Sequence, residues 1–441
     1  MSGVAVNSIN TLVRQIVSVL VQLFSMIIIA RELGVESNGK YALAILLPTF
    51  LAMFVTLGLN ASNIYFIGKK TYSRSVIYST SMIMSIVIIL IGLLVGFSSI
   101  YFFGGYLFPN MNYKLLYLAL FIFPFSFVFS IQLSFLQAIE NFSDYNLVSL
   151  FRPILFFLFI ITLYITGNLT LKYVVFISIV NPFLSFLFAL YFISKNNLSI
   201  VFKSFSKKYM SRSLNYGIKS HLTNLVAFIN YRADIFLLNF FSNPVSVGIY
   251  YVSIQIVERL WILSSSMSIV LFPRFVNLLN NDKERIDLVT KSFRLVIVLT
   301  FLASVLMIFF GMYFINVMFG VEYSNSYLAI LCLIPGVVLG AGSRILANSI
   351  AATGRPELNM YTSFFVMLLN IILNIILIPK FGYLGAAIST SISYSINLTL
   401  RIWLINRIEY SFKIKNLIVN VDDFKFIYLK SKAMLNKYKQ H

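Results

Sequence analysis

Charged residues are scarce in this sequence. Only 11% of the 441 residues are Asp, Glu, Lys or Arg, whereas 59% are hydrophobic. A soluble domain carries about 25% charged residues, and it does not need this much apolar surface, whereas a set of bilayer-spanning segments does. The composition therefore excludes an ordinary soluble protein and indicates an integral membrane protein.

Residues that build disulfide and metal sites are also nearly absent. Cys332 is the single cysteine, and His221 and His441 are the two histidines. One thiol cannot form a disulfide framework, and two histidines are too few for a His-ligated metal centre. We therefore expect no metal and no cofactor.

Acidic residues are few enough that the formal net charge is +20. A nucleic-acid-binding domain would group Lys and Arg with aromatic residues on a soluble surface. Here the basic residues lie mostly in short segments between apolar runs and in the C-terminal tail. This distribution is typical of cytoplasmic loops that face anionic membrane lipid, and it argues against nucleic acid as a partner.

Apolar runs of spanning length follow one another along the chain and predict an all-α fold of about twelve transmembrane helices. The predicted spans are 7–30, 41–67, 76–103, 114–139, 145–166, 172–193, 214–241, 246–272, 292–318, 326–352, 358–379 and 384–407.

The basic residues also predict the orientation of these spans. With the N-terminus in the cytoplasm, the inside segments carry 23 Lys and Arg residues and the outside loops carry five. This bias favours the orientation in which both termini are cytoplasmic. The outside loops, the first of them at 31–40, are then all short.

An internal repeat divides the spans into two halves. Residues 36–41 (ESNGKY) open the second span, and residues 245–250 (VSVGIY) open the eighth in the same way. Such a repeat predicts two six-helix bundles related by a pseudo-two-fold axis along the membrane normal. We place the bundles at 1–194 and 214–407, a basic cytoplasmic linker at 195–213 and a basic cytoplasmic tail at 408–441.

Segment 34–40 matches the phosphate-binding pattern GxxxxGK. Tyr41 follows where a Ser or Thr would bind magnesium, and no strand precedes the segment. We interpret the match as coincidental and expect no ATPase activity from this chain.

Six arginines and no lysine lie six or more residues from both ends of a predicted span, with two acids beside them. The arginines are Arg14, Arg152, Arg232, Arg259, Arg344 and Arg401, and the acids are Asp234 and Glu258. A mid-membrane Arg costs roughly 2.5–3.5 kcal/mol, so we expect these side chains to face a protein interior or a watery cavity. Arg also suits bidentate contact with phosphate oxygens.

Two explanations of these arginines stay open. The two acids can neutralise two of the six as structural ion pairs, which leaves a net cationic interior. Arg152 and Arg401 lie near span ends, where a long side chain also reaches the interface by snorkelling. We take Arg14, Arg232, Arg259, Arg344 and Arg401 as substrate-binding candidates and Asp234 and Glu258 as ion-coupling candidates. We interpret His221 as more typical of a packed residue.

Uncharged polar stripes accompany the arginines in several spans. Asn60 in the second span, Ser126 and Ser130 in the fourth, and Ser393 in the twelfth belong to such stripes. Stripes of this kind more often form helix-packing contacts than substrate sites.

Short motifs in a characteristic order extend along most of the chain. They are Ala30–Gly34 with Gly39–Tyr41, Gln137–Glu140 with Asn146, Arg232–Asp234 leading to Gly248–Tyr250, Glu258, Pro273–Arg274, Ala351–Arg355, Asn374, Ile378–Pro379 and Gly382–Ala387. Together they resemble the O-antigen type of polysaccharide-export flippase, in the multidrug/oligosaccharidyl-lipid/polysaccharide exporter superfamily.

The resemblance implies a non-enzymatic carrier with two six-helix bundles around a cationic cavity, working by alternating access. The implied substrate is undecaprenyl pyrophosphate bearing an O-antigen or capsule repeat unit, moved to the outer leaflet of the bacterial plasma membrane. Proton or sodium exchange is the implied drive, and a polysaccharide polymerase and a chain-length regulator are implied partners. Arg232 and Asp234 match the motif of the family.

Three rival functions remain. A membrane polymerase or ligase would share the composition, but it would need a sizeable catalytic loop outside, and the predicted outside loops are short. A cation-coupled drug exporter of the same superfamily would need an acidic cavity for cationic drugs, whereas arginines outnumber acids in the spans. A lipid II flippase is the third.

Overall fold

The computed structural model describes residues 2–109, 111–279, 281–409 and 412–418. These residues form fourteen α-helices and no strand. In a bilayer every backbone N–H and C=O must be satisfied within the protein, and helices do this from within each segment. The helices are α1 (Ser2–Val55), α2 (Leu59–Gly68), α3 (Arg74–Leu107), α4 (Tyr113–Leu120), α5 (Ile122–Ala138), α6 (Phe142–Ile165), α7 (Leu171–Lys195), α8 (Lys207–Phe241), α9 (Pro244–Glu258), α10 (Ile262–Asn277), α11 (Asp282–Met318), α12 (Ser324–Ala352), α13 (Pro356–Phe381) and α14 (Tyr383–Ile408).

The all-α prediction is confirmed, and the fourteen helices correspond to the twelve predicted spans. The kink in α1 separates the first span from the second, which continues into α2. The pairs α4–α5 and α9–α10 each form one span, the latter interrupted by a 3₁₀ turn at Arg259–Trp261. Within the described residues, nine helices are long and apolar enough to cross a membrane. This number is lower than the twelve predicted spans for two reasons. Helix α1 contains two spans, and α8 and α14 are more polar than the others and are not among the nine.

The prediction of a loop at 31–40 is wrong. The chain is helical there except at Gly34, whose φ of 72° and ψ of 172° break α1. Glycine has no Cβ and adopts this backbone conformation without a steric penalty. The first two spans are therefore joined by a kink rather than by a loop, although polar residues surround Gly34 in the sequence.

The chain folds as two compact units. Unit 1 comprises residues up to Tyr251 together with Ile315–Ser324, and unit 2 comprises Val252–Phe314 and the described residues from Asn325 onward. The bundles at 1–194 and 214–407 and the linker at 195–213 stay predictions. Most of the predicted tail, including His441, lies outside the described residues.

The polar stripes form helix-packing contacts, as predicted. In unit 1, Asn60 Nδ2 donates to Ser130 Oγ over 3.1 Å. In unit 2, the buried Asn370 Nδ2 donates to Ser393 Oγ over 3.2 Å. Such bonds satisfy polar side chains that would otherwise meet hydrocarbon, and they join neighbouring helices.

The segment after α14 packs onto the start of α11 in unit 2. Arg285 is only 4% exposed and binds Glu409 over 2.6 Å and Asp282 over 2.8 Å. Burial raises the pKa of Glu409, while the Arg285 guanidinium opposes that rise. Arg294 Nη1 donates to the Asn416 carbonyl oxygen over 3.0 Å. A carboxylate therefore compensates the Arg285 charge.

Two glycines at equivalent repeat positions bring α1 and α9 into backbone contact in unit 1. A Cβ added at Gly39 would lie 1.9 Å from the carbonyl oxygen of Pro244, and one added at Gly248 would lie 2.1 Å from that of Val35. Neither oxygen can rotate away as a side chain would. Small residues permit this close approach of membrane helices.

We therefore predict that Gly39→Ala and Gly248→Ala each lower the melting temperature of the detergent-solubilised protein. The added methyl must separate α1 from α9, and overpacking of this kind costs about 1–3 kcal/mol. Gly68→Ala is the matched control, since nothing lies within 4 Å of a Cβ added there. Equal melting temperatures for all three variants would contradict the close contact.

Candidate functional site

Arg14 lies on α1 and is fixed by α6 in unit 1. Its Nη1 donates to Ser149 Oγ over 2.8 Å, and its guanidinium carbon lies 5.4 Å from the centroid of the Tyr145 ring. The side chain is half-buried, and its buried Nε has no hydrogen-bond partner among the described residues. Arg14 is thus oriented by a neutral hydroxyl and an aromatic face.

Arg152 continues the same face of α6. Tyr145, Ser149 and Arg152 are spaced by four and three residues, so they lie one above another on the helix. Arg152 Nη2 donates to Ser126 Oγ over 2.9 Å, and its guanidinium lies 5.5 Å from the Phe129 ring centroid. It therefore packs sideways onto α5 rather than extending alone from a span end.

The charges of Arg14 and Arg152 have no carboxylate partner among the described residues. Serine hydroxyls and aromatic rings hold both guanidinium groups. A hydroxyl dipole and a ring face satisfy part of the desolvation cost without removing the positive charge. This part of unit 1 is therefore cationic and suited to an anionic group.

Arg232 and Asp234 lie two residues apart on α8 and have different surroundings. Arg232 is half-buried, and its Nη1 donates to the carbonyl oxygen of Tyr231 over 3.1 Å. Asp234 is only 1% exposed and accepts hydrogen bonds from the Tyr250 hydroxyl and from the Ile235 N–H. Asp234 thus links α8 to α9 near the Gly248 contact.

Arg344 lies on the turn of α12 in unit 2 that Arg401, on α14, contacts. The Arg344 guanidinium lies 4.1 Å from the Trp261 ring centroid. Arg401, at 9% exposure, donates from Nη1 to the carbonyl oxygen and the hydroxyl of Ser343, over 3.0 and 2.8 Å. Because Ser343 and Arg344 are consecutive, one turn of α12 contacts both α14 and the turn between α9 and α10.

Glu258 and Arg259 lie where the eighth span changes its helical geometry. Glu258 ends α9, and Arg259 begins the 3₁₀ turn that precedes α10. Both side chains are half-buried. A short 3₁₀ stretch inside a long helix often marks a functional hinge or a sequence under strain.

The structure therefore distributes the sequence candidates over both units. Arg14, Arg232 and Asp234 lie in unit 1, and Glu258, Arg259, Arg344 and Arg401 lie in unit 2. His221 is buried on α8, as expected of a packed residue. The sequence interpretation gave no role to Tyr145 or Ser149 and ranked Arg152 low. The spacing of residues 145, 149 and 152 could have shown from the sequence that Tyr145, Ser149 and Arg152 lie on one face of α6.

Comparison with known proteins places the chain in a family. Residues 4–279, more than half of the sequence, match the family model described as polysaccharide biosynthesis protein. The chain belongs to this family. The resemblance inferred from its short motifs is thereby confirmed.

One relative of this chain is the probable low-salt glycan biosynthesis flippase Agl15 of Haloferax volcanii. The two are 25% identical over 211 residues, which is 47% of this chain and 44% of the relative. The chain thus spans less than half the length of that relative.

Solved structures show the same fold for this family member. A lipid II flippase MurJ in an inward closed conformation matches 97% of the chain and 91% of its own, with a TM-score of 0.75 and 18% identity. An inward-facing multidrug resistance MATE family transporter of the MOP superfamily matches 89% of the chain and 94% of its own, with a TM-score of 0.73 and 14% identity. The chain is thus a multi-pass membrane protein with the fold of this superfamily.

Arg14 and Arg152, which have no carboxylate partner among the described residues, should differ from the ion-paired Arg285 in their effect on stability. Arg14→Met and Arg152→Met should leave the melting temperature unchanged or raise it, because each removes a desolvated charge that has no carboxylate partner. Arg285→Met should lower it, because Glu409 then stays buried without its cation, at a cost of about 3–5 kcal/mol. Thermal unfolding of the three purified variants measures this. Equal destabilisation in all three would make Arg14 and Arg152 structural residues.

Proposed function

We propose that this protein moves an anionic, lipid-linked oligosaccharide across the membrane by alternating access. The observation that carries the proposal is the pair Arg14 and Arg152, whose charges no carboxylate neutralises among the described residues. Membership of a polysaccharide biosynthesis family supports a glycan as cargo. The fold shared with flippases and exporters supports transport rather than catalysis.

In its finer form, the proposal assigns a lipid pyrophosphate as the anionic group. The carrier would be undecaprenyl pyrophosphate bearing an O-antigen or capsule repeat unit, moved from the cytoplasmic to the outer leaflet of the bacterial plasma membrane. Arg14, Arg152, Arg232, Arg259, Arg344 and Arg401 are the proposed substrate contacts. A planar guanidinium binds two phosphate oxygens at once, which an ammonium does not do.

Burial of a sugar headgroup explains the need for a polar path. Each hydroxyl left unsatisfied in hydrocarbon costs free energy, and the pyrophosphate adds charge. Fixed arginines lower the electrostatic part of that cost. The lipid tail is itself apolar and can stay in the bilayer during the passage of the headgroup.

The drug-exporter alternative rests on the fold that the chain shares with a multidrug resistance transporter. A site for cationic drugs needs exposed acids. Asp234 is buried and accepts hydrogen bonds from Tyr250 and Ile235, so its carboxylate is engaged within the protein. Asp234 and Glu258 stay proposed ion-coupling residues. A polymerase and a chain-length regulator are the proposed partners.

We predict that Arg14→Ala, Arg232→Ala and Arg259→Ala each abolish surface polysaccharide in the host cell, while the variant protein stays in the membrane. Lipid-linked oligosaccharide should accumulate at the same time, since its synthesis continues. Immunoblots, surface-glycan staining and lipid extraction measure these three quantities. Replacement of each residue by Lys should restore export only partly, because a lysine keeps the charge without the bidentate geometry.

Arg407→Ala serves as the control for this experiment. Arg407 is exposed in the last turn of α14, so its loss should leave surface polysaccharide at the wild-type amount. Wild-type polysaccharide in all three arginine variants would overturn the proposed function.

A further inference from the structure

Two residues of α6 hold the guanidinium group of Arg14 in unit 1. Arg14 Nη1 donates to Ser149 Oγ over 2.8 Å, and the guanidinium carbon lies 5.4 Å from the centroid of the Tyr145 ring. Residues 145 and 149 are four apart, so their side chains lie on the same face of α6. One face of one helix therefore determines where this guanidinium lies.

The Ser149 hydroxyl is itself oriented within α6. It donates its hydrogen to the carbonyl oxygen of Asn146 over 3.1 Å. Because that hydrogen is used, the oxygen acts only as an acceptor toward Arg14. The distance of 2.8 Å between Arg14 Nη1 and the oxygen is typical of a hydrogen bond with a charged donor. Ser149 thus fixes one nitrogen of the guanidinium.

The acid nearest to this pair along α6 is bound by amides. Asp144 Oδ2 accepts from the Asn141 amide over 2.7 Å and from the Asn196 amide over 3.0 Å. These bonds join the start of α6 to the end of α7. Among the described residues, Arg14 forms no ion pair with this or any other carboxylate, so its positive charge is retained.

Donors of Arg14 remain available in this arrangement. A guanidinium carries several N–H donors in one plane, and Ser149 accepts from Nη1 alone. The buried Nε has no hydrogen-bond partner among the described residues. An unpaired buried donor costs free energy, and a ligand oxygen that binds it removes the cost. Arg14 is therefore a fixed cation with unused donors.

We infer that Tyr145 and Ser149 are positioning residues that hold Arg14 for contact with a phosphate group of the transported lipid. This inference rests on the proposed function. It adds a division of labour in which Arg14 touches the oxyanion, while Tyr145 and Ser149 act through Arg14. A guanidinium that is already fixed loses less side-chain entropy when it binds. The pyrophosphate of a lipid carrier and the carboxylate of an acidic sugar share this chemistry, and the experiment distinguishes them.

Competition against a fluorescent prenyl pyrophosphate, bound to the detergent-solubilised protein, tests the ligand. We predict that farnesyl pyrophosphate competes, and that inorganic pyrophosphate competes at higher concentration because it lacks the tail. Farnesol, which has the tail without the phosphates, and glucuronate should not compete. Competition by farnesol as strong as that by farnesyl pyrophosphate would overturn the phosphate assignment. Competition by glucuronate alone would assign the site to an acidic sugar and overturn it as well.

The affinity for the same fluorescent ligand tests the positioning role. Tyr145→Leu and Ser149→Ala should each weaken binding roughly tenfold, because the first removes a cation–π contact and the second a hydrogen bond to a charged group. Tyr145→Phe keeps the ring face and Ser149→Thr keeps the hydroxyl, so both should bind nearly as tightly as wild type. These two variants decide the test if Tyr145→Leu or Ser149→Ala fails to fold. Losses as large in Tyr145→Phe and Ser149→Thr would overturn the inference.

Replacement of Arg14 separates an action through Arg14 from a merely structural one. The apolar tail of the ligand should keep binding measurable in Arg14→Met. In that protein, Tyr145→Leu and Ser149→Ala should cause no further loss, since the group that they position is absent. A further loss equal to that in the wild-type background would make both residues structural and overturn their positioning role.

Tyr65 and Ser143 provide matched controls in unit 1. Lys69 Nζ lies 5.6 Å from the centroid of the Tyr65 ring, and Tyr65 is 38% exposed. Tyr65→Leu therefore removes a cation–π contact of similar length at an exposed position. Ser143→Ala removes an exposed hydroxyl from the same helix as Ser149. Both variants should bind the fluorescent ligand with wild-type affinity.

The controls and the wild type together separate failure of this inference from failure of the proposed function. Losses in both controls as large as in Tyr145→Leu and Ser149→Ala would overturn the inference. Wild-type affinity in both Tyr145→Leu and Ser149→Ala would also overturn it, and would leave the proposed function standing. If the wild-type protein binds no prenyl pyrophosphate, the proposed function itself fails.

Discussion

The rest of the structure depends on how the protein meets the free-energy cost of burying Arg side chains in a low-dielectric interior. Each buried Arg must find hydrogen-bond acceptors, carboxylates or ring faces, or it destabilises the fold. The chain meets this requirement in two ways. At the start of α11, Arg285 is neutralised by Glu409 and Asp282. Within the spans, Arg14 and Arg152 are held by hydroxyls and aromatic rings and keep their charge.

This difference separates structural arginines from candidate binding arginines. An ion-paired guanidinium stabilises the fold, and it attracts an anionic ligand only weakly because its charge is already neutralised. One that rests on a serine and an aromatic ring costs stability and attracts anions, so its retention calls for a functional explanation. The proposed transport of a phosphorylated lipid would require charges of this kind.

Much of the fold could be predicted from the sequence because apolar length and helical spacing determine membrane spans directly. The twelve spans, the packing role of Asn60 and the Gly39–Gly248 repeat correspondence needed only the order of residues. The kink at Gly34 could not be predicted, since one glycine within polar residues resembles a loop as readily as a bend. The partners of the arginines could not be predicted either, because Ser149 and Tyr145 acquire their roles only through contact with Arg14, on a helix distant in sequence.

Transport itself is measured most directly in proteoliposomes that contain the purified protein and a lipid-pyrophosphate oligosaccharide with a fluorophore on the sugar. Dithionite added outside destroys only the fluorophores of the outer leaflet, so the bleached fraction reports movement between leaflets. We predict that wild-type protein raises this fraction above that of protein-free vesicles, and that the double variant Arg14→Met/Arg152→Met does not. Equal bleaching with wild-type and doubly substituted protein would contradict the role of an uncompensated cationic site in transport.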